Sequence, residues 1–243
     1  MPSVFVIGGA RRLGAAIATA TADRGFDVGI TWNFDEKQAE VSLRSIRQRM
    51  VSGAMAQADV AQPEQLTNAL ELLTHDLGMP HAIILNAGVF PPTRDISTIN
   101  EEEVLNTIRV NTLPIVTVSK WYYTHCHRAD AVGRIVSIGS LGAEHIWKNR
   151  LAYNVSKAAL STAVQSLARS CAPRIAINSV APGMIIMPDE PSANDTASPP
   201  SASIPMMRFG TTNDVVDAVM FFIQATTYIT GETIRVDGGH HLV

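Results

Sequence analysis

The chain has 243 residues, 46% of them hydrophobic and 17% charged, a balance that rules out intrinsic disorder and suits one α/β domain of the doubly wound kind. Its 19 Lys plus Arg against 22 Asp plus Glu leave a net charge of −3, without the basic surfeit that nucleic acid or an anionic membrane surface would call for, so the expected partner is a small molecule. Two cysteines, Cys126 and Cys171, with no CxxC and no His/Cys cluster at ligand spacing, give neither a disulfide framework nor a zinc site and fit a reducing compartment.

In chain order, residues 4–7 read as a strand and 13–23 as a helix, then 28–32 and 36–50, 54–58 and 64–77, 82–85 and 101–126, 134–138 and 153–170, 175–180 and 215–225, with a last strand at 233–236. Short β-branched runs alternate with helix-period segments. Boundary residues agree: Gly25 and Gly78 stop helices, Pro63 suits a first turn, and Thr98-Ile99-Asn100-Glu101 reads as a capping box. Right-handed crossovers then predict a Rossmann-type, doubly wound parallel sheet of seven strands with helices on both faces, ligands binding at the strands' carboxyl ends. Residues 1–243 form one domain in this reading. No apolar run approaches the roughly 18 to 20 residues of a membrane span. The first strand starts at Val4, leaving no room ahead of it for a signal or transit peptide, and a cytoplasmic location is the expectation. Residues 188–205, rich in Pro, Ser and Ala, break the rhythm and read as a mobile loop on the substrate side of the domain.

Two short motifs carry chemistry. The first strand runs into Gly8-Gly9-Ala10-Arg11-Arg12-Leu13-Gly14 and then directly into a helix. A tight glycine turn at a helix N-terminus offers outward N–H groups and a favourable dipole to a pyrophosphate; a plain sharp turn is the simpler reading of the glycines alone. The second motif is Tyr153-Asn154-Val155-Ser156-Lys157. Residues four apart share a helix face, so the Lys157 ammonium is expected to favour the Tyr153 phenolate, lower its pKa and make it a general acid/base. A chance surface pair is the alternative.

Together these motifs resemble the classical short-chain dehydrogenase/reductase family, and the resemblance extends over the whole chain. Asn86-Ala87-Gly88 looks like the family's sheet-stabilising NAG, and Asn111 stands where its catalytic Asn is expected. Ser140 precedes Tyr153 by 13 residues, Pro182-Gly183 follows the sixth strand, and residues 229–239 are similar to the family's C-terminal strand signature. The resemblance implies a reductase that passes hydride from the nicotinamide of NADP(H) to a carbonyl. In that scheme Tyr153 donates the proton, Ser140 hydrogen-bonds the carbonyl oxygen, Lys157 holds ribose hydroxyls and tunes Tyr153, and Asn111 supports a relay water. Cofactor contacts are expected from Gly8, Arg11, Arg12, Leu13, Gly14, Asn33, Asp59, Val60, Asn86, Ala87, Gly88, Tyr153, Lys157, Pro182, Gly183 and Ile185.

The chain departs from the family pattern in places. GGARRLG resembles the pteridine-reductase branch, yet that branch usually carries Asp where this chain has Ser140. Met187 replaces a Thr that often contacts the carboxamide. Thr31-Trp32-Asn33-Phe34 ends the second strand without an acid, and Arg11 with Arg12 can bind a 2′-phosphate, although Asp35 stands close. His145 and Trp147 are read as bordering the substrate pocket or packing on the sheet, and His240 and His241 as surface or interface histidines. A homodimer or homotetramer is implied through the helices near Glu101 and Tyr153. Other readings are a non-catalytic dinucleotide sensor or scaffold, and a family member redirected to imine reduction or cyclisation.

Overall fold

The side chains of β1 (Ser3–Ile7) alternate between two apolar layers, because successive residues of a strand face opposite sides. Val4 and Val6 enter one layer with Ile17, Val28, Ile30, Val219 and Ile223; Phe5 and Ile7 enter the other with Leu66, Leu70, Leu73, Ile115, Ile135 and Ile177. A sheet buried on both faces needs helices on both sides. The computed structural model describes residues 1–126, 132–187 and 201–243.

The chain continues through α1 (Arg12–Asp23), β2 (Asp27–Trp32), α2 (Glu36–Arg47), β3 (Gly53–Gln57), α3 (Pro63–Leu77) and β4 (Pro80–Leu85). Then come α4 (Glu101–Asn111), α5 (Pro114–His125), β5 (Gly133–Ile138), α6 (Leu151–Cys171) and β6 (Ile175–Pro182). The last elements are β7 (Ile185–Ile186), β8 (Gly210–Thr211), α7 (Thr212–Gln224) and β9 (Thr233–Val236). Seven strands form one parallel sheet in the order β3-β2-β1-β4-β5-β6-β9, as expected from the sequence. The chain reverses its direction of winding between β1 and β4, and a crevice opens there at the carboxyl ends.

Several expectations are corrected. The helix expected over residues 101–126 is two helices, broken at Thr112–Leu113. Pro114 opens α5 because it has no N–H to give to the preceding turn. Asn100, not Thr98, caps α4, its side chain accepting from the Glu102 amide at 2.9 Å; Thr98 belongs to a separate 3₁₀ turn. The two-residue pair β7–β8 has no periodicity to announce it and was not foreseen. Of the loop expected over 188–205, residues 188–200 lie outside the described residues. Its returning end is anchored: Ile204 is buried, and the Met206 amide donates to the Gly238 carbonyl at 3.1 Å. Among the described residues no helix is long and apolar enough to cross a membrane.

Candidate active site

Parallel strands deliver their carboxyl ends to one edge, and the predicted residues gather there. Gly8 leaves β1 with φ +80°, a left-handed conformation that glycine adopts without penalty. The turn is pinned from both sides. The Gly8 amide donates to Thr31 Oγ1 at 2.9 Å, Asn86 Nδ2 donates to the Gly8 carbonyl at 2.8 Å, and Ser42 Oγ donates to the Ala10 carbonyl at 2.7 Å. The amides of Asn86 and Ala87 both reach the Ile7 carbonyl, so the NAG segment ties β4 to β1 across the crevice. A Cβ on Gly14 would lie 2.0 Å from the Gly8 oxygen; only glycine lets the start of α1 pack this closely on the turn. Arg11, the N-cap of α1, puts no side chain onto the first-turn amides. A pyrophosphate fits this cradle by its charge and by its need for close backbone approach.

Around the turn stand the other candidate cofactor residues. Arg11 and Arg12 are exposed, and Arg12 holds φ +50°. Leu13 is buried, and Asn33 is half-buried at the end of β2. Asp35 is committed to α2, accepting the Gln38 amide at 3.0 Å as its N-cap, so the helix N-terminus offsets its charge. Asp59 turns the chain after β3 by accepting the Ala61 amide at 2.9 Å, while Val60 packs on the core. Pro182 ends β6, and the Gly183 amide donates to the Val236 carbonyl at 2.9 Å. Ile185, half-buried in β7, packs against the α1–α7 layer.

At the end of β5 the Ser140, Tyr153 and Lys157 side chains converge. Ser140 is buried and its hydroxyl accepts the Gly142 amide at 3.0 Å. Burial pushes the Tyr153 phenol above its ordinary pKa, while a hydrogen bond with Ser140 and the charge of Arg150 pull it down. The expected lowering is thus reversed, because desolvation of the phenolate outweighs its partners. Lys157 is buried, with Nζ donating to the Ile138 carbonyl at 2.8 Å and lying 5.9 Å from the Tyr153 ring centre. Burial lowers its pKa to about 8. Such a pair can hold a proton on an oxygen beside a group able to give up its charge near working pH.

Asn111, the last residue of α4, is buried and uses its side chain structurally. Its Oδ1 accepts the Val89 amide at 2.8 Å, and its Nδ2 donates to the Val89 carbonyl and to Ser156 Oγ, both at 3.0 Å. These bonds hold Gly88 and Val89 beside α6. The Ile115 amide, which a continuous helix would return to Asn111, instead donates to the Thr112 carbonyl at 3.3 Å, so the regular ladder is interrupted at the Asn111 carbonyl.

Trp147 borders the site, its ring 5.8 Å from that of Tyr153 and nearly parallel at 7°. Two neighbours were not foreseen. Phe90 meets the Tyr153 ring edge-on at 4.6 Å, and the Arg150 guanidinium sits 4.1 Å above the Phe90 ring. Phe90 is 53% exposed although large and apolar; its position two residues beyond Gly88 was the signal available in the sequence. His240, read from the sequence as a surface or interface histidine, is buried within the chain itself, with its ring 5.2 Å from that of His145. Its neighbour His241 is half-exposed and pairs with Asp237 at 2.7 Å.

The chain matches known proteins across nearly all of its length. A family model described as Enoyl-(Acyl carrier protein) reductase covers residues 8–241. The uncharacterized oxidoreductase YohF of Escherichia coli strain K12 is 29% identical over 238 residues, 95% of this chain and 92% of that protein. The 3-oxoacyl-(acyl-carrier-protein) reductase FabG of Staphylococcus aureus strain Mu50 is 27% identical over 245 residues, 99% of this chain and 98% of that protein. A crystal structure of a short chain dehydrogenase from Burkholderia cenocepacia J2315 in complex with NADP superposes with a TM-score of 0.90 at 29% identity, covering 99% of this chain and 98% of that one. With its seven parallel strands and this match from the first glycine of the turn to His241, the chain belongs to the classical short-chain dehydrogenase/reductase family of oxidoreductases.

Proposed function

We propose that this protein is an NADP(H)-dependent reductase of a small carbonyl compound, with Tyr153 as the general acid. The observation that carries the reading is the meeting of Ser140, Tyr153 and Lys157 at the carboxyl end of β5, on the same sheet edge as the glycine cradle. The bound cofactor supplies a hydride from its nicotinamide ring. Ser140 orients the carbonyl oxygen by hydrogen bonding, and Tyr153 gives its phenolic proton to that oxygen as negative charge develops there. Lys157 donates to ribose hydroxyls and, while cationic, makes loss of the Tyr153 proton easier. The Asn111 carbonyl, which does not receive the Ile115 amide, would accept from a water that returns the proton. The complete set argues against a non-catalytic sensor. Testing NADPH oxidation against ketones, quinones, 3-oxoacyl thioesters and dihydropterins decides it: turnover of at least one class is expected, and none with any of them contradicts the reading.

The preference for NADP(H) rests on Arg11, Arg12 and Asn33 beside a β2 end that has no free acid, Asp35 being spent as a helix cap. The NADP-bound relative from Burkholderia cenocepacia supports it. Charge-assisted bonds to a 2′-phosphate contribute about 1.5–3 kcal/mol each. The Arg11→Ala/Arg12→Ala double variant should lose roughly 100-fold in kcat/KM with NADPH and little with NADH. Equal losses with both cofactors would place the arginines outside phosphate recognition.

The assembly is read as a homodimer or homotetramer. Leu105 on α4, Leu113 in the break before α5, Val116 on α5 and Val155 on α6 are all exposed, apolar side chains on the helices read as the interface that a second copy would cover. Sedimentation at micromolar concentration should give a species of at least twice 26.2 kDa; a clean monomer would refute the assembly.

A further inference from the structure

Asn154 follows Tyr153 directly and is 4% exposed, a polar side chain almost wholly buried. Its Nδ2 donates to the Trp147 carbonyl at 2.8 Å; only the nitrogen end of an amide can face a carbonyl, so the orientation is fixed. Its Oδ1 is buried without a protein partner among the described residues. That oxygen borders the reacting groups: a Cβ built on Gly142 would stand 3.4 Å from Asn154 Oδ1, 3.4 Å from Ser140 Oγ and 3.3 Å from the Tyr153 ring. A buried amide whose oxygen has no partner is costly to keep, and an apolar residue would fill the volume without that penalty. The retained feature is the hold on Trp147.

What that hold controls is visible in the aromatic contacts. The Trp147 indole lies parallel to the Tyr153 ring, and Phe90 stands edge-on to both, 6.0 Å from Trp147 and 4.6 Å from Tyr153. The two rim segments are laced together nearby, Arg150 donating to the Pro91 carbonyl and the Arg94 amide to the Asn149 carbonyl at 3.0 Å. Asn154 is the link from this rim down into α6, the helix that also carries Tyr153 and Lys157.

We propose that Asn154 is a positioning residue: by gripping the Trp147 carbonyl it fixes the indole as a wall beside Tyr153 and so sets how closely a carbonyl substrate seats against the Ser140 and Tyr153 hydroxyls. The inference rests on the reading of Ser140 and Tyr153 as the reacting pair. A displaced wall weakens the productive seating of the carbonyl compound, whereas the glycine cradle on the other side of the crevice does not depend on it.

The test uses Asn154→Asp and Asn154→Leu in the full chain, each compared with the parent at pH 5.5 and pH 8.5. An ionised Asp cannot donate to the Trp147 carbonyl, but a protonated one can, and burial favours the protonated form. With the carbonyl of the panel that gives the highest parental kcat/KM, Asn154→Asp should raise KM about tenfold at pH 8.5 and about twofold at pH 5.5, and Asn154→Leu about tenfold at both. NADPH affinity should stay within about twofold of the parent throughout. A second readout needs no turnover: acrylamide quenching of the emission that disappears on Trp147→Phe should increase in Asn154→Leu at both pH values and in Asn154→Asp only at pH 8.5. Should the Asp variant fail to fold, Asn154→Gln, which keeps the donor, should restore parental quenching and most of the KM. Parental KM and quenching in both variants would overturn the proposal, as would losses in NADPH affinity that parallel the losses in KM. If no carbonyl is reduced at all, the carbonyl-reductase reading fails, and the quenching result still decides whether Asn154 holds Trp147.

Discussion

Replacing Tyr153 with Phe should lower carbonyl reduction by about 10²–10⁴-fold, the range attached to a lost general acid, and leave NADPH affinity within about twofold. The substitution removes one hydroxyl and retains the ring, so the contacts with Phe90 and Trp147 persist and the aromatic wall is kept. The raised pKa of the phenol bears on the direction of chemistry. A group acting as an acid must hold its proton at neutral pH, and burial keeps it there until negative charge develops on the substrate oxygen. Lys157→Ala makes the contrast, because Lys157 is placed to serve both the cofactor ribose and Tyr153; rate and NADPH affinity should fall together. Initial rates and NADPH fluorescence titration separate the two patterns. A Tyr153→Phe enzyme that keeps more than a tenth of the parental rate removes the acid role.

Gly14→Ala should abolish tight cofactor binding with a smaller effect on folding. A Cβ there would lie 2.0 Å from the Gly8 carbonyl oxygen and 2.6 Å from Asn86 Nδ2. Neither is the far end of a flexible chain: Gly8 is fixed backbone, and the Asn86 amide is engaged with that same carbonyl at 2.8 Å. The turn must therefore open, which separates the end of β1 from the N-terminus of α1 and spoils the alignment of amides toward a pyrophosphate. Overpacking of this kind typically costs 1–3 kcal/mol in stability; the loss in NADPH affinity should exceed about 100-fold, since every backbone donor is displaced at once. Calorimetric titration with NADPH and a thermal melt read the two effects separately. An unchanged dissociation constant would mean that the cofactor does not lie on the glycine turn.

Much of this could be read from the residues because the relevant signals are periodic or rigidly spaced. The unbroken apolar run of residues 4–7 announces a strand buried on both faces, and the glycines at 8, 9 and 14 announce a tight turn before a helix. Tyr153 and Lys157 share a helix face by arithmetic alone. Features set by desolvation or by tertiary contact were not legible. The direction of the Tyr153 pKa depends on how deeply the ring is covered, which spacing does not encode. Which part of Asn111 is committed to the fold was not legible either: its side chain clamps Val89, which leaves only the backbone carbonyl for the role read from its position. His240 gave no sign of burial because its neighbour, His145, is 95 residues away in sequence. The break before α5 was not read because Pro114 does not by itself fix one, being a residue that opens helices as readily as it interrupts them.

The central claim is that hydride and proton meet on one carbonyl at the Ser140–Tyr153–Lys157 corner. The most direct measurement is single-turnover reduction of a carbonyl from the panel with NADPH deuterated at the transferring position of its nicotinamide, the product being analysed by mass spectrometry. The account predicts a product carrying one deuterium on the former carbonyl carbon with the parental enzyme, and almost none over the same interval with Tyr153→Phe at equal cofactor occupancy. Product without deuterium, or equal deuterium transfer in the Tyr153→Phe enzyme, would contradict it.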